Sequence, residues 1–180
     1  RYVRDNNLDG LYHDFTMLMV LTDVAQGFGY MRDGKPVRCY PFFQRRELYK
    51  RIFTMLKQYK KDAINIGHMS GDMYVPYLAF CDVILNGEHF GGSYWAGKTV
   101  QDLMTDDYIH SEVMGHNYGL PTVMLTNMMG LVPNQDIRFL LGLALLYDFS
   151  LWSGSIAEHR VYKAFRDFGA MNAEYIPYWK

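Results

Sequence analysis

Gly10-Leu-Tyr-His-Asp-Phe15 is a short, largely apolar run that closes around an acidic residue, and its reading decides the fold. The same rhythm returns at Ala63-Ile-Asn-Ile-Gly-His68, Asp82-Val-Ile-Leu-Asn-Gly-Glu88, Leu120-Pro-Thr-Val-Met-Leu-Thr-Asn127 and Tyr147-Asp-Phe-Ser-Leu-Trp152. Each run is followed, directly or after a loop, by a stretch of helical character. Strands covered on both faces by crossover helices read as short apolar runs rather than as strict polar/apolar alternation. The predicted fold class is therefore α/β with a parallel sheet, a class that gathers its chemistry at the carboxyl ends of the strands.

Working outward, a helix is predicted from Phe43 to Tyr59, where Leu48, Ile52, Met55, Leu56 and Tyr59 recur at helical spacing as one apolar stripe. Further helices are expected over Asp106 to His116, Asn134 to Leu146 and Ser155 to Phe168. Met73 to Phe80 carries Pro76 and reads as one or two turns, with Ser70 and Asp72 placed to cap it. Gln26 to Gly34 reads as an irregular loop ending in the turn signal Asp33-Gly34. Residues 139 to 146 are apolar almost all round, so a second domain or a partner chain is expected to cover them.

Composition narrows the function. The 180 residues suffice for one hydrophobic core, and one domain spanning 1 to 180 is expected. The net charge of −1 argues against a nucleic-acid partner, whose phosphates call for a basic excess. The local cluster Arg45, Arg46, Lys50, Arg51, Lys57, Lys60 and Lys61 reads as the solvated face of its helix. No apolar run approaches the roughly 20 residues of a membrane span. Neither a Gly-x-Gly-x-x-Gly nor a Gly-Lys-Ser/Thr phosphate loop follows the first strand, so no nucleotide cofactor is expected. Between an open doubly wound sheet and a (β/α)8 TIM-type barrel represented by its later five βα units, the barrel is preferred. Cys39 and Cys81 read as two free thiols. The first residue is Arg1 rather than Met, as in a mature or internal piece of a longer protein.

Strand alternation puts Tyr12 and Asp14 on one face, and Leu11, His13 and Phe15 on the other. A carboxylate among aromatics at a strand end is costly unless it is paired or used. Asp14 is thus one candidate, with turn capping as its ordinary role. Glu88 is the second, with a surface ion pair as its alternative. His68 and His89 are placed to bind a hydroxyl or tune a carboxylate. Tyr94, Trp95 and Trp152 suit a stacking platform for a sugar ring, or the packing of a barrel mouth, and Asn127 could bind a hydroxyl. Glu112, His116 and His110 can be drawn as a zinc-like group, but the His-Glu-x-x-His spacing is absent and no metal is expected. Ser70 lies in His68-Met-Ser-Gly71 rather than in a Gly-x-Ser-x-Gly elbow, so it is not expected to be a nucleophile.

Gly10-Leu-Tyr-His-Asp-Phe-Thr16, His68-Met-Ser-Gly71, Leu85-Asn-Gly-Glu-His-Phe90 and Ala173-Glu-Tyr-Ile-Pro-Tyr-Trp179 resemble, in that order, the barrel domain of large bacterial proteins related to glycoside hydrolase family 123. The resemblance implies that residues 170–180 close the barrel, that the ligand is a carbohydrate and that the protein works outside the cytoplasm, extracellularly or in the periplasm. In barrels similar to the α-galactosidase type, an Asp ending the fourth strand attacks and a carboxylate ending the sixth is the acid/base. If Gly10 to Phe15 is the fourth strand, Glu88 ends the sixth. Retaining enzymes of this kind hold the two carboxyl groups roughly 5 to 5.5 Å apart. The expectation is a glycoside hydrolase with Asp14 and Glu88 as catalytic pair. Its alternative is an inactive barrel serving as a structural or carbohydrate-binding module in a larger assembly.

Overall fold

The computed structural model describes residues 2–14, 16, 19–21, 23–71, 73–114, 117–125, 134–152, 158–174 and 176. The chain divides into two compact units, residues 1–83 and 84–180.

The first unit contains helix α1 (Tyr2–Asp5), strands β1 (Gly10–His13), β2 (Tyr30–Arg32) and β3 (Lys35–Val37), helix α2 (Phe42–Tyr59), strand β4 (Ile64–His68) and helix α3 (Val75–Leu78). β1 runs parallel to β4, with Gly10 opposite Ile64 and His13 opposite Gly67. The second unit takes up strand β5 (Val83–Asn86) and continues through helices α4 (Gly91–Trp95), α5 (Val100–Leu103) and α6 (Asp106–Tyr108), strand β6 (Thr122–Leu125), helix α7 (Asn134–Tyr147), strand β7 (Ser150–Trp152) and helix α8 (Glu158–Asp167). β5 pairs in parallel with β6, and β6 with β7. All five parallel strands fall inside the five predicted runs, which makes this a mixed α/β chain of parallel strands and helices. Among the described residues no helix is long and apolar enough to cross a membrane.

Three local expectations are corrected. First, the stretch read as an irregular loop holds a hairpin: β2 and β3 pair antiparallel, Tyr30 opposite Val37, around Asp33 (φ 51°) and Gly34 (φ 72°). Two successive positive φ angles are what a tight two-residue hairpin turn requires, and Asp-Gly supplies them cheaply. Second, the buried face of α2 is turned from the predicted stripe. Tyr49 and Leu56 are buried, whereas Leu48, Met55 and Tyr59 are exposed. Tyr49 is drawn inward because its ring stacks on Tyr77, with centroids 3.7 Å apart. Third, the helix expected from Asp106 leaves α geometry after Tyr108 and winds as a π turn over Ile109–Val113, burying both of those end residues.

The second unit carries the larger apolar core. Leu140, Leu141 and Ala144 of α7 meet Val161 and Ala164 of α8 together with Met124 of β6. The opposite side of α7 leaves Phe139, Leu145 and Leu146 exposed. In the first unit, among the described residues, Val3, Leu56 and Ala63 form a small apolar cluster. Much of its remaining interior is aromatic or polar.

Candidate functional site

Alternation along β1 sorts its side chains as predicted. His13 points to an interior network: its Nε2 lies 2.7 Å from Asn65 Oδ1, and its ring meets Tyr49 and Tyr77 edge-on. Asn65 Nδ2 donates to the Phe80 carbonyl, so Oδ1 must accept and His13 carries its proton on Nε2. Burial holds the His13 pKa below its ordinary value, with the Asn65 contact working the other way. Asp82 closes this network, accepting from the Asn65 amide N–H at 2.8 Å and from Lys57 Nζ at 2.8 Å. Cys81 is a buried free thiol whose pKa burial pushes up to about 12, and Cys39 is also free. A thiol so rarely ionised is no nucleophile at neutral pH.

Tyr12 and Asp14 take the other face, where β4 delivers His68. His68 is buried, while the Asp14 side chain keeps 56% of its surface exposed. His68 Nδ1 lies 3.0 Å from Asp14 Oδ1 and 2.6 Å from the Tyr12 hydroxyl, and Tyr12 donates to Asp14 Oδ1 at 3.3 Å. His68 Nε2 lies 2.7 Å from Ser70 Oγ. The Thr16 hydroxyl donates to the His68 carbonyl, tying the segment after β1 to the end of β4.

A carboxylate can only accept, so its position selects the tautomer with the proton on Nδ1. Nε2 is then a lone-pair acceptor for the Ser70 O–H. The order of contacts is carboxylate, imidazole, hydroxyl. Ser70 is the residue whose contact with the imidazole sequence reasoning does not anticipate. The expectation that it caps the following helix is corrected: the N-cap of α3 is Tyr74, without a side-chain cap, and Ser70 faces His68 instead. Asp72, the other expected cap, lies outside the described residues.

The remaining candidates belong to the second unit. Gly87, with φ 99°, turns the chain out of β5 so that Glu88 opens a 3-10 turn, Glu88–Phe90, with Glu88 and His89 exposed and Phe90 buried. A side chain at Gly87 would strike Met124. Asn86 accepts from the Gly87 N–H and donates to Glu112 at 3.3 Å, which anchors the turn from below. His89 packs at 4.1 Å between ring centroids on Phe90. Tyr94 and Trp95 end α4, and Trp152 ends β7 with its side chain exposed. Asn127 and His116 lie outside the described residues. Among the described residues no group of three or more His, Cys, Asp or Glu side chains could hold a metal ion. Of the predicted set, the structure brings Tyr12, Asp14 and His68 into mutual hydrogen-bonding distance. Searches of family models, curated proteins and solved structures return no match to this chain.

Proposed function

We propose that this chain is a carbohydrate-active domain of the (β/α)8 type that cleaves glycosidic bonds, with Asp14 as the attacking or stabilising carboxylate and Glu88 as general acid/base. The observation that carries the reading is Asp14 itself. It is a solvent-exposed carboxylate at the carboxyl end of a parallel strand, oriented through one oxygen by a buried imidazole and a phenol. Glu88 supplies the proton to the leaving oxygen and withdraws one from water. The aromatic side chains of Tyr94, Trp95 and Trp152 suit the apolar face of a pyranose, and His89 and Asn127 suit its hydroxyls.

The barrel reading draws on strand order. Within each unit, successive parallel strands are neighbours, β1 beside β4 and β5, β6, β7 in turn. A closed barrel has this order throughout, whereas a doubly wound sheet reverses it at a switch point.

The test is a panel of aryl glycosides. Wild-type protein is expected to release the aryl alcohol from at least one sugar. Asp14→Asn should fall to background while retaining its unfolding midpoint, and Glu88→Gln should lose about 10²- to 10⁴-fold on poor leaving groups. Turnover in Asp14→Asn equal to wild type refutes the assignment. The reading of the chain as an inactive module within an assembly is favoured by one observation, the exposed Phe139, Leu145 and Leu146 on α7. An obligate oligomer, inert on every glycoside, would be its signature in light scattering and assay.

A further inference from the structure

The same unit carries a second chemistry that does not rest on glycosidic cleavage. We propose that Ser70, His68 and Asp14 form an acyl-transfer relay acting on small carboxylic esters. In it Ser70 is the nucleophile, His68 the general base, and Asp14 a positioning residue rather than an attacking one. Three observations converge. Ser70 Oγ lies 2.7 Å from His68 Nε2, within the reach a base needs to take its proton. His68 Nδ1 lies 3.0 Å from the Asp14 carboxylate, which keeps the proton on Nδ1 and leaves the Nε2 lone pair turned to the hydroxyl. The three side chains come from the ends of two paired strands, so β1 and β4 fix their mutual geometry. The Tyr12 hydroxyl, 2.6 Å from Nδ1, adds a dipole that steadies the imidazolium formed during attack.

The reaction balances with ester and water alone. Ser70 Oγ attacks the carbonyl carbon, and its proton passes to His68 Nε2. The tetrahedral intermediate breaks its bond to the alkoxide, which leaves as the alcohol carrying the proton from Nε2. Water then attacks the acyl-serine, gives one proton to Nε2, and releases the acid as Ser70 Oγ recovers that proton. No elbow motif announces the site because the base, two residues from the nucleophile, shares its strand end, and only the orienting carboxylate comes from another strand.

The test uses the full chain, an aryl acetate and diisopropyl fluorophosphate, with the modified residue located by peptide mass mapping. Wild type is expected to hydrolyse the acetate and take up one phosphoryl group on Ser70. Ser70→Ala should abolish both, and His68→Asn should abolish both. Asp14→Asn should slow modification by about 10²-fold or more, with partial recovery in Asp14→Glu. Unfolding midpoints close to wild type exclude collapse of the fold as the cause. A folded wild type that takes up no reagent at Ser70, hydrolysis that survives in Ser70→Ala, or an Asp14→Asn rate equal to wild type each overturns the proposal. The glycoside panel uses separate substrates, so either chemistry can fail without the other.

Discussion

The two units spend their interiors differently. In residues 84–180, α7 and α8 pack Leu140, Leu141, Ala144, Val161 and Ala164 into a continuous apolar cluster, and among the described residues Asn86 and Thr122 are the buried polar side chains. In residues 1–83, the strands β1 and β4 bury Asn65 on one side and His68 on the other, and the rings Tyr49 and Tyr77 stand where aliphatic groups would ordinarily be. The apolar unit gains stability from area removed from water. The polar one gains directional contacts that fix side chains to within a hydrogen bond, which is the condition a reacting carboxylate or hydroxyl needs. Chemistry is legible in the unit that is less oily.

That contrast is broken most directly by truncating a leucine in each. Leu141 and Leu56 are both fully buried, the first amid the large cluster and the second beside Val3 and Ala63. Leu141→Ala should cost about 3–5 kcal/mol, because a dense aliphatic surround cannot collapse into the cavity. Leu56→Ala should cost less, about 2–3 kcal/mol, since the smaller cluster leaves fewer neighbours to lose. Urea unfolding at pH 7 measures both, and a larger loss for Leu56→Ala would overturn the ranking.

Next in size is Gly67→Ala. A Cβ at Gly67 would come within 2.9 Å of the Tyr77 ring and 2.8 Å of the Cys81 sulfur. Both belong to the packed side of β4, so the added methyl should cost about 1–3 kcal/mol as overpacking. Combining it with Cys81→Ala should recover part of that loss, because the nearest obstacle is removed. Failure to recover would locate the strain in the Tyr49–Tyr77 stack instead.

The strands were readable in the sequence because each is a short apolar run bounded by polar residues, although two-sided burial holds best for β5 and β6, while β1 and β7 keep exposed positions. The hairpin at residues 30–37 was not, since Tyr30, Met31, Arg32, Lys35 and Pro36 are all exposed and an exposed strand leaves no apolar period to read. The face of α2 was misread because Leu48 and Met55 look like core residues, while Tyr49 wins the interior through its stack on Tyr77. At the site, alternation alone placed Tyr12 with Asp14. Ser70 carries no nucleophile signature in the sequence because Asp14, the carboxylate that orients its partner His68, is brought close only by strand pairing.

A smaller effect is expected at the interior ion pair. Lys57 and Asp82 are partly buried, and Asp82 also holds the Asn65 amide. Asp82→Asn keeps an acceptor for Asn65 but removes the charge, and should cost about 1–2 kcal/mol. Asp82→Ala should cost more, because it takes the acceptor from the Asn65 N–H and leaves Lys57 Nζ with the Ala63 carbonyl. Equal costs for the two variants would mean that the charge, rather than the acceptor, carries the contact.

The gentlest probe of the contrast is pH. Burial lowers the His13 pKa below 6.5, so between the lowered value and 6.5 the unfolded chain binds a proton that the folded chain does not. Stability from this group is therefore complete above about pH 6.5 and is lost as pH falls through the folded value, with a slope of at most about 1.4 kcal/mol per pH unit. His13→Gln keeps a donor for Asn65 Oδ1 and removes the titration. Urea midpoints taken from pH 7.5 down to pH 5 should fall less steeply in His13→Gln than in wild type. Parallel slopes would assign the acid sensitivity to other groups and make the polar interior of β1 and β4 indifferent to protonation, whereas a flattened slope ties the fold's acid limit to the strand that leads into Asp14.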